Sequence, residues 1–275
     1  MLIKAKTKTN CRAVKRGTMN LKESAALNNT PRTPLKGGIA GVPWPNADLV
    51  TPISRAALAQ GMICNLDKPE GWTSFDVVNK LRGASRIKKV GHAGTLDPFA
   101  TGVLLICFAN ATKQVESLMT LEKEYEGTLV LGVDTDSHDV TGKIIGQREA
   151  PMLSRAEVEA ALQRYVGEIM QTPPMFSAIK KEGRRLYDMA RAGESIEVEP
   201  RAVTIHALEL LRVNLPELTL RVTCSRGTYI RALARDLGKD FGCGAHLKTL
   251  RRTRIGEYRS ARSLTVAQFL ERLTD

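Results

Sequence analysis

Between Leu218 and Cys224 apolar and polar residues alternate without a break, Leu218, Leu220, Val222 and Cys224 against Thr219, Arg221 and Thr223. Successive side chains of a strand point to opposite faces, so this segment is a strand with one face in a core and the other near water. Such half-buried strands belong to antiparallel sheets, because parallel strands are normally covered on both sides. Tyr125 to Val133 alternates in the same way, and Val140 to Gln147 is expected to return as its hairpin partner. Met62 to Leu66 and Val103 to Phe108 are short apolar runs of the kind that form buried strands. Helical segments fall irregularly between them. Thr73 or Ser74 caps one whose apolar face is Val77, Val78 and Leu81 and which ends near Gly83; another covers Thr112 to Leu118. Ser154 with Glu157 forms a capping box for a helix through Val166, and further helices run from Thr228 to about Lys239 and from Ser263 to Leu273. Without a strict strand–helix–strand order or a fixed-period repeat, the class expected is α+β with a largely antiparallel sheet.

A content of 43% hydrophobic residues over 275 positions is enough to fill a core. The net charge of +12 points to a polyanionic partner, and its distribution is uneven. Residues 1–60 carry ten Lys or Arg against only Glu23 and Asp48, which is two thirds of the excess in about a fifth of the chain. With little hydrophobic period and with Asn, Thr, Pro and Gly from Asn28 to Pro52, this stretch reads as a flexible basic extension, and the domain proper is expected from Met62. Its poverty in acids is that of a mitochondrial transit segment, but Pro31, Pro34, Pro43 and Pro45 break any amphipathic helix there. No apolar run reaches the length of a membrane span, and no secretory signal opens the chain. Five scattered cysteines (11, 64, 107, 224 and 243) fit reduced thiols in a cytoplasmic protein, and the absence of paired Cys or His spacings argues against structural zinc.

The densest chemistry lies in Gly91-His92-Ala93-Gly94-Thr95-Leu96-Asp97-Pro98-Phe99-Ala100-Thr101-Gly102, between the basic Arg86 to Lys89 and a buried strand. Glycines let backbone approach a ligand, and loops on a rigid sheet are where reactive side chains sit; a plain turn closed by an Asp97 side-chain hydrogen bond is the competing reading. Asp134, Asp136 and Asp139 have the start of a calcium loop, but His138, Asp139 and Ile145 stand where the loop needs other residues, so the expectation is a solvated hairpin loop and no metal. Arg231 and Arg235 share a helix face. Arg231 stands near the helix N-terminus, where the dipole disfavours a cation, so a specific carboxylate or phosphate partner is expected. From Arg221 to Arg262 there are eleven Lys or Arg and three acids. With Tyr125, Phe176, Tyr187 and Tyr229 close to basic clusters, the pattern suits a groove for single-stranded or flipped-out bases.

Together these segments closely resemble the TruB family of tRNA pseudouridine synthases. The resemblance is carried, in order, by Asp67-Lys68-Pro69-x-Gly71-x-x-Ser74, the Gly91 to Gly102 loop, Lys123-x-Tyr125, Gln171-x-Pro173-Pro174-x-x-Ser177-Ala178, Arg226-Gly227-Thr228-Tyr229-Ile230-Arg231 and Leu250-Arg251-Arg252, over residues 61–262. It implies a pseudouridine-synthase fold, a central, mostly antiparallel mixed sheet flanked by helices, as one catalytic domain over 61–275. It implies an isomerase that converts a uridine of the TΨC loop of tRNA by base flipping, without a cofactor. By the same resemblance Asp97 is the catalytic aspartate, Arg231 its pairing arginine and Tyr125 the tyrosine that stacks on the base. His92, Tyr229 and Leu250 then contact flipped nucleotides or line the uracil pocket. Two departures stand out: Phe176 replaces a common tyrosine, and the chain ends soon after Leu250, which implies the bacterial type without the C-terminal RNA-binding domain of many relatives. The expected protein is a cytoplasmic monomer that binds the TΨC stem-loop and no membrane. The alternative is a non-catalytic tRNA-binding or folding factor using the same cleft. A nucleoside glycosidase would want a second carboxylate, and the Gly91 to Gly102 loop offers none beside Asp97.

Overall fold

The computed structural model describes residues 52–275, apart from 178, 179, 182, 192, 193 and 195. Regular structure begins before Met62, which corrects the expected boundary. Ile53–Ser54 form strand β1, and Arg55–Gln60 form helix α1, capped by the Ser54 side chain accepting from the Ala57 N–H. The stretch is too short to show a period; its anchor is tertiary, with Leu58 fully buried and β1 paired in parallel with the last strand, Leu273–Thr274. Residues 1–51 of the expected extension lie outside the described residues.

Next come β2 (Ile63–Lys68) and α2 (Ser74–Ser85). Thr73 and Asp76 close a capping box at the start of α2. The helix runs through Gly83 and stops only at Arg86, left-handed at φ 61°. β3 (Val90–His92) and β4 (Thr101–Phe108) bracket the glycine-rich loop. A 3₁₀ turn over Ala109–Gln114 and α3 (Val115–Thr120) occupy the next expected helix, and β5 (Lys123–Leu131) follows. Val133–Thr135 (β6) and Ile144–Gln147 (β7) make their own small hairpin. The expected pairing of 140–147 with the 125–133 strand therefore does not form. Gly132, at φ +87°, turns the chain out of the sheet, and both edges of β5 are taken by later strands.

α4 (Arg155–Gln163) has the Ser154/Glu157 capping box read from the sequence. After β8 (Gly167–Gln171) come the short β9 (Lys180–Lys181), β10 (Arg184–Arg185) and α5 (Leu186–Arg191). β11 (Arg201–Asn214) and β12 (Glu217–Cys224) form a long hairpin leading to α6 (Ile230–Asp240) and β13 (Ala245–Ile255). β14 (Tyr258–Arg259), β15 (Leu264–Thr265), α7 (Val266–Glu271) and β16 (Leu273–Thr274) finish the chain, so the last helix is shorter than expected and starts from a Thr265 cap.

Ten of the strands form one sheet in the order β15-β2-β4-β13-β5-β12-β11-β8, with β3 on β4 and β14 on β13. Its pairs are antiparallel except β15–β2 and the short β13–β4 contact between Arg251–Arg252 and Thr101–Gly102. The fold is thus α+β with a mixed, mostly antiparallel sheet. On one face Leu218, Leu220 and Val222 join Leu129, Leu131 and Leu247 under Val158 and Leu162 of α4 and Leu233 and Leu237 of α6. On the other face charged side chains pair across strands, with Arg221 reaching Glu126 and Glu209, Arg254 reaching Glu122, and Lys248 reaching Glu217. Much of the basic 221–262 segment is therefore neutralised by neighbours within the fold. Among the described residues no helix is long and apolar enough to cross a membrane.

Candidate active site

The site forms where β4 and β13 run side by side for two residues. Gly102 sits at φ +99°, and a Cβ there would lie 2.2 Å from the Arg252 carbonyl oxygen, so only glycine allows the approach. The Gly102 N–H donates to Asp67 (3.0 Å), which also receives Arg251 (2.6 Å). Arg252, 1% exposed, passes through the sheet interior and donates to the carbonyls of Val103 (2.7 Å), Gly94 (3.0 Å) and Thr95 (3.5 Å). From the other side fully buried Lys68 donates from Nζ to Trp72 O (2.6 Å), Pro69 O (2.8 Å) and Pro98 O (3.1 Å). Burial lowers its pKa to about 8, against the pull of Asp97. Ser74, at the start of α2, bonds both ways with Leu96, accepting its N–H (2.9 Å) and donating to its carbonyl (3.2 Å). The loop that carries Asp97 is thereby fixed at Gly94, Thr95, Leu96 and Pro98.

Asp97 faces one edge of the Arg231 guanidinium: Nη2 donates to Oδ1 at 2.9 Å, and Nε pairs with Oδ2 at 2.8 Å. The Arg231 side chain is 5% exposed and that of Asp97 32%, so the carboxylate faces open space from a buried grip. Arg231 also donates to Phe176 O (2.9 Å) and Ser137 O (3.0 Å), and its Nη1 lies 3.4 Å from Asp139 Oδ2. The carboxylate partner expected for a cation at this helix start is thus two carboxylates. Asp139 is 3% exposed and its Oδ1 accepts from Thr141 Oγ1 (2.6 Å), Ser137 Oγ (2.7 Å) and Thr141 N (2.9 Å). The expectation of a solvated loop is corrected here: the 134–139 segment folds inward against β13, where Val140 N–H donates to Leu247 O. The pattern of three aspartates was visible in the sequence; that one of them serves Arg231 was not, because 92 residues separate the pair.

Burial pushes the Asp97 carboxyl above the ordinary carboxylate range, Arg231 pulls it back, and the Asp139 charge adds to the push. Tyr125 is half-buried on β5, flanked by Val222 on β12 and Arg252 on β13. Its pKa is raised chiefly by burial, with Arg252 opposing and the Asp97 charge adding. Tyr229, just ahead of α6, is held by Gln171, which accepts its N–H (2.8 Å) and donates to its carbonyl (3.1 Å). Its hydroxyl is likewise raised by burial and feels both Arg231 and Asp97. Leu250 is buried in the same apolar cluster as Leu96, Phe99 and Ala100, which flank Asp97. His92 ends β3; burial and then Arg252 lower its pKa, and its buried Nδ1 has no partner among the described residues. The candidate residues Asp97, Arg231, Tyr125, Tyr229 and Leu250 thus share one neighbourhood, with His92 reaching it through Arg252. Arg252, Lys68 and Asp139 are further buried ionic groups there.

A bulge in β13 between Leu247 and Thr249 makes this possible. Leu247 pairs with Leu129, but after one extra residue Thr249 pairs with Thr128, Leu250 with Gly127 and Arg252 with Tyr125. Strict alternation from Leu247 would turn Leu250 and Arg252 to the charged face; the bulge returns both to the Tyr125 side.

A sequence model described as TruB family pseudouridylate synthase (N terminal domain) matches residues 82–230. A second, described as tRNA pseudouridylate synthase B C-terminal domain, matches 231–274, which here includes α6 and the sheet strand β13. The chain is 49% identical over 219 residues to tRNA pseudouridine synthase B of Phocaeicola vulgatus, covering 77% of this chain and 93% of that protein. It is 46% identical over 221 residues to tRNA pseudouridine synthase B of Flavobacterium johnsoniae, covering 78% and 96%. Among solved structures, a Cbf5-Nop10-Gar1 complex aligns with a TM-score of 0.62 at 28% identity, covering 82% of this chain and 59% of that one. An H/ACA RNP bound to a substrate RNA containing 2'-deoxyuridine aligns with a TM-score of 0.58 at 28% identity, covering 78% and 54%. The chain thus spans little more than half the length of the chains in those two structures.

Proposed function

The chain belongs to the TruB family of pseudouridylate synthases, isomerases that form pseudouridine in tRNA, and on that premise we propose that it acts on a uridine of the TΨC loop with Asp97 as its reacting group. The reaction breaks the C1′–N1 bond and joins C1′ to C5; C5 loses a proton and N1 gains one, with no net redox change and no hydrolysis. It needs an ionised carboxylate near the ribose–base junction, an extruded base and walls that retain the cleaved ring. Attack at C1′, attack at C6 and removal of the 2′ hydrogen all make the same demand on Asp97.

The observation that carries this reading is the contact of Arg231 with both oxygens of a carboxylate whose other side is open. A planar guanidinium bound at both oxygens fixes the direction of the carboxylate and favours its charged form. Tyr125 supplies a ring for the extruded base, which offsets an unstacking cost of a few kcal/mol, while Leu250, Leu96 and Phe99 keep bulk water from the ring once it is free. Asp139 does not act as the second carboxylate of a glycosidase, since the Arg231 guanidinium lies between it and Asp97. A binding factor that performed no chemistry would have no use for a buried arginine dedicated to one half-open carboxylate. All these residues come from one chain, so a monomer suffices.

The test is incubation with an unmodified tRNA transcript followed by carbodiimide mapping. One new pseudouridine confined to the TΨC loop is expected. A modification elsewhere overturns the choice of site.

A further inference from the structure

Helix α2 turns Ser74, Val77, Val78, Leu81 and Ser85 into the core. Phe75, Asn79, Arg82 and Arg86 recur at intervals of four, three and four, so they form one stripe along the helix. Phe75 is 58% exposed, and the Arg82 guanidinium lies 5.9 Å from its ring centroid. Arg82 also donates to Asn79 Oδ1 (2.8 Å) and Val90 O (3.4 Å), which turns the stripe toward β3. Its first residue follows Ser74, the residue bonded to Leu96 beside Asp97. Beyond the helix Arg86, Lys88 and Lys89 are exposed, and none of them has an ion pair among the described residues. By contrast Arg221, Arg231, Arg235, Lys248, Arg251 and Arg254 of the larger basic segment are all paired with acids.

A lone exposed phenylalanine needs no explanation. A ring capped by a guanidinium, in line with Arg86, followed along the chain by Lys88 and Lys89 and joined to the Asp97 loop at one end, is a stacking platform followed by phosphate contacts. We propose that this stripe is the track for the RNA strand flanking the target nucleotide. Phe75 and Arg82 hold an unpaired base, and Arg86, Lys88 and Lys89 hold phosphates. The proposal rests on the tRNA reading given above and adds the path the strand takes away from Asp97.

The experiment measures affinity for an unmodified tRNA transcript across a salt series. The triple variant Arg86→Ala/Lys88→Ala/Lys89→Ala is expected to bind at least about tenfold more weakly at low salt and to flatten the plot of log affinity against log salt by about two. Phe75→Ala is expected to lose about tenfold at every salt concentration with the slope unchanged, and Phe75→Tyr to bind as the wild type does, since stacking uses the ring face. Wild-type affinity and slope in the triple variant overturn the phosphate track; wild-type affinity in Phe75→Ala overturns the platform. Wild-type protein is assayed for pseudouridine on the same transcript. If it forms none, the functional reading has failed, whereas an active enzyme with unaffected variants sinks the track alone.

Discussion

At Asp97 two effects oppose each other: burial disfavours the charged carboxylate, and Arg231 favours it. Burial wins, so the pKa lies above the ordinary carboxylate value of about 4. If the reacting form is ionised, activity is lost as pH falls through this raised pKa, and the acid limb of kcat/KM sits above that of an unperturbed carboxyl. Asp139→Asn removes a negative charge that adds to the upward shift, so the acid limb should move to lower pH even as the rate falls; a limb that stays or moves up contradicts the electrostatic account. Arg231→Lys should lower kcat about a hundredfold or more, roughly 2.7 kcal/mol, because an ammonium cannot hold both oxygens of Asp97. A rate within a few-fold of wild type, measured at saturating tRNA, would make Arg231 a mere counter-charge. Asp97 and Arg231 were legible because motif and helix position both mark them. Asp139 was misread because short spacing to Asp134 and Asp136 suggests a local loop, and its true partner lies far along the chain.

Among the elements, the capped helices were the most legible, since Thr73/Asp76 and Ser154/Glu157 are local signals whose outcome depends on a few neighbouring residues. Pairing was less so. The 140–147 segment went to β6 because Gly132 diverts the chain, and the β13 bulges break the alternation on which a register would be read. Two glycines separate these cases by experiment. Gly102→Ala places a Cβ 2.2 Å from a backbone oxygen at a positive φ, where nothing flexible can yield. It should cost more than about 2 kcal/mol and lower Tm by about 5 °C or more. Gly83→Ala, inside α2 with nothing within 4 Å, should instead stabilise by about 0.5–1 kcal/mol. Thermal unfolding of the two variants checks both, and equal Tm values would remove the argument that Gly102 is what lets β4 meet β13.

For the whole molecule, net charge is a poor guide to where RNA binds, because so many cations of the 221–262 segment are spent on acids within the fold. Residues 1–60 add ten Lys or Arg against two acids. Deleting residues 1–50 should weaken tRNA binding at low salt and reduce the slope of log affinity against log salt by about one to three, with saturating kcat almost unchanged. An unchanged slope in a salt titration would remove these residues from binding; a fall in kcat would tie them to the catalytic domain. The central claim is that a carboxylate at Asp97 rearranges uridine in tRNA, and release of tritium from transcript carrying 5-tritiated uridine reports it directly, because C5 must lose its hydrogen. The account predicts release by the wild-type protein, and none above background from Asp97→Asn, while that variant binds the transcript within about tenfold of wild type, since one carboxylate adds little among many phosphate contacts. Appreciable release from Asp97→Asn, or none from the wild type, would contradict it.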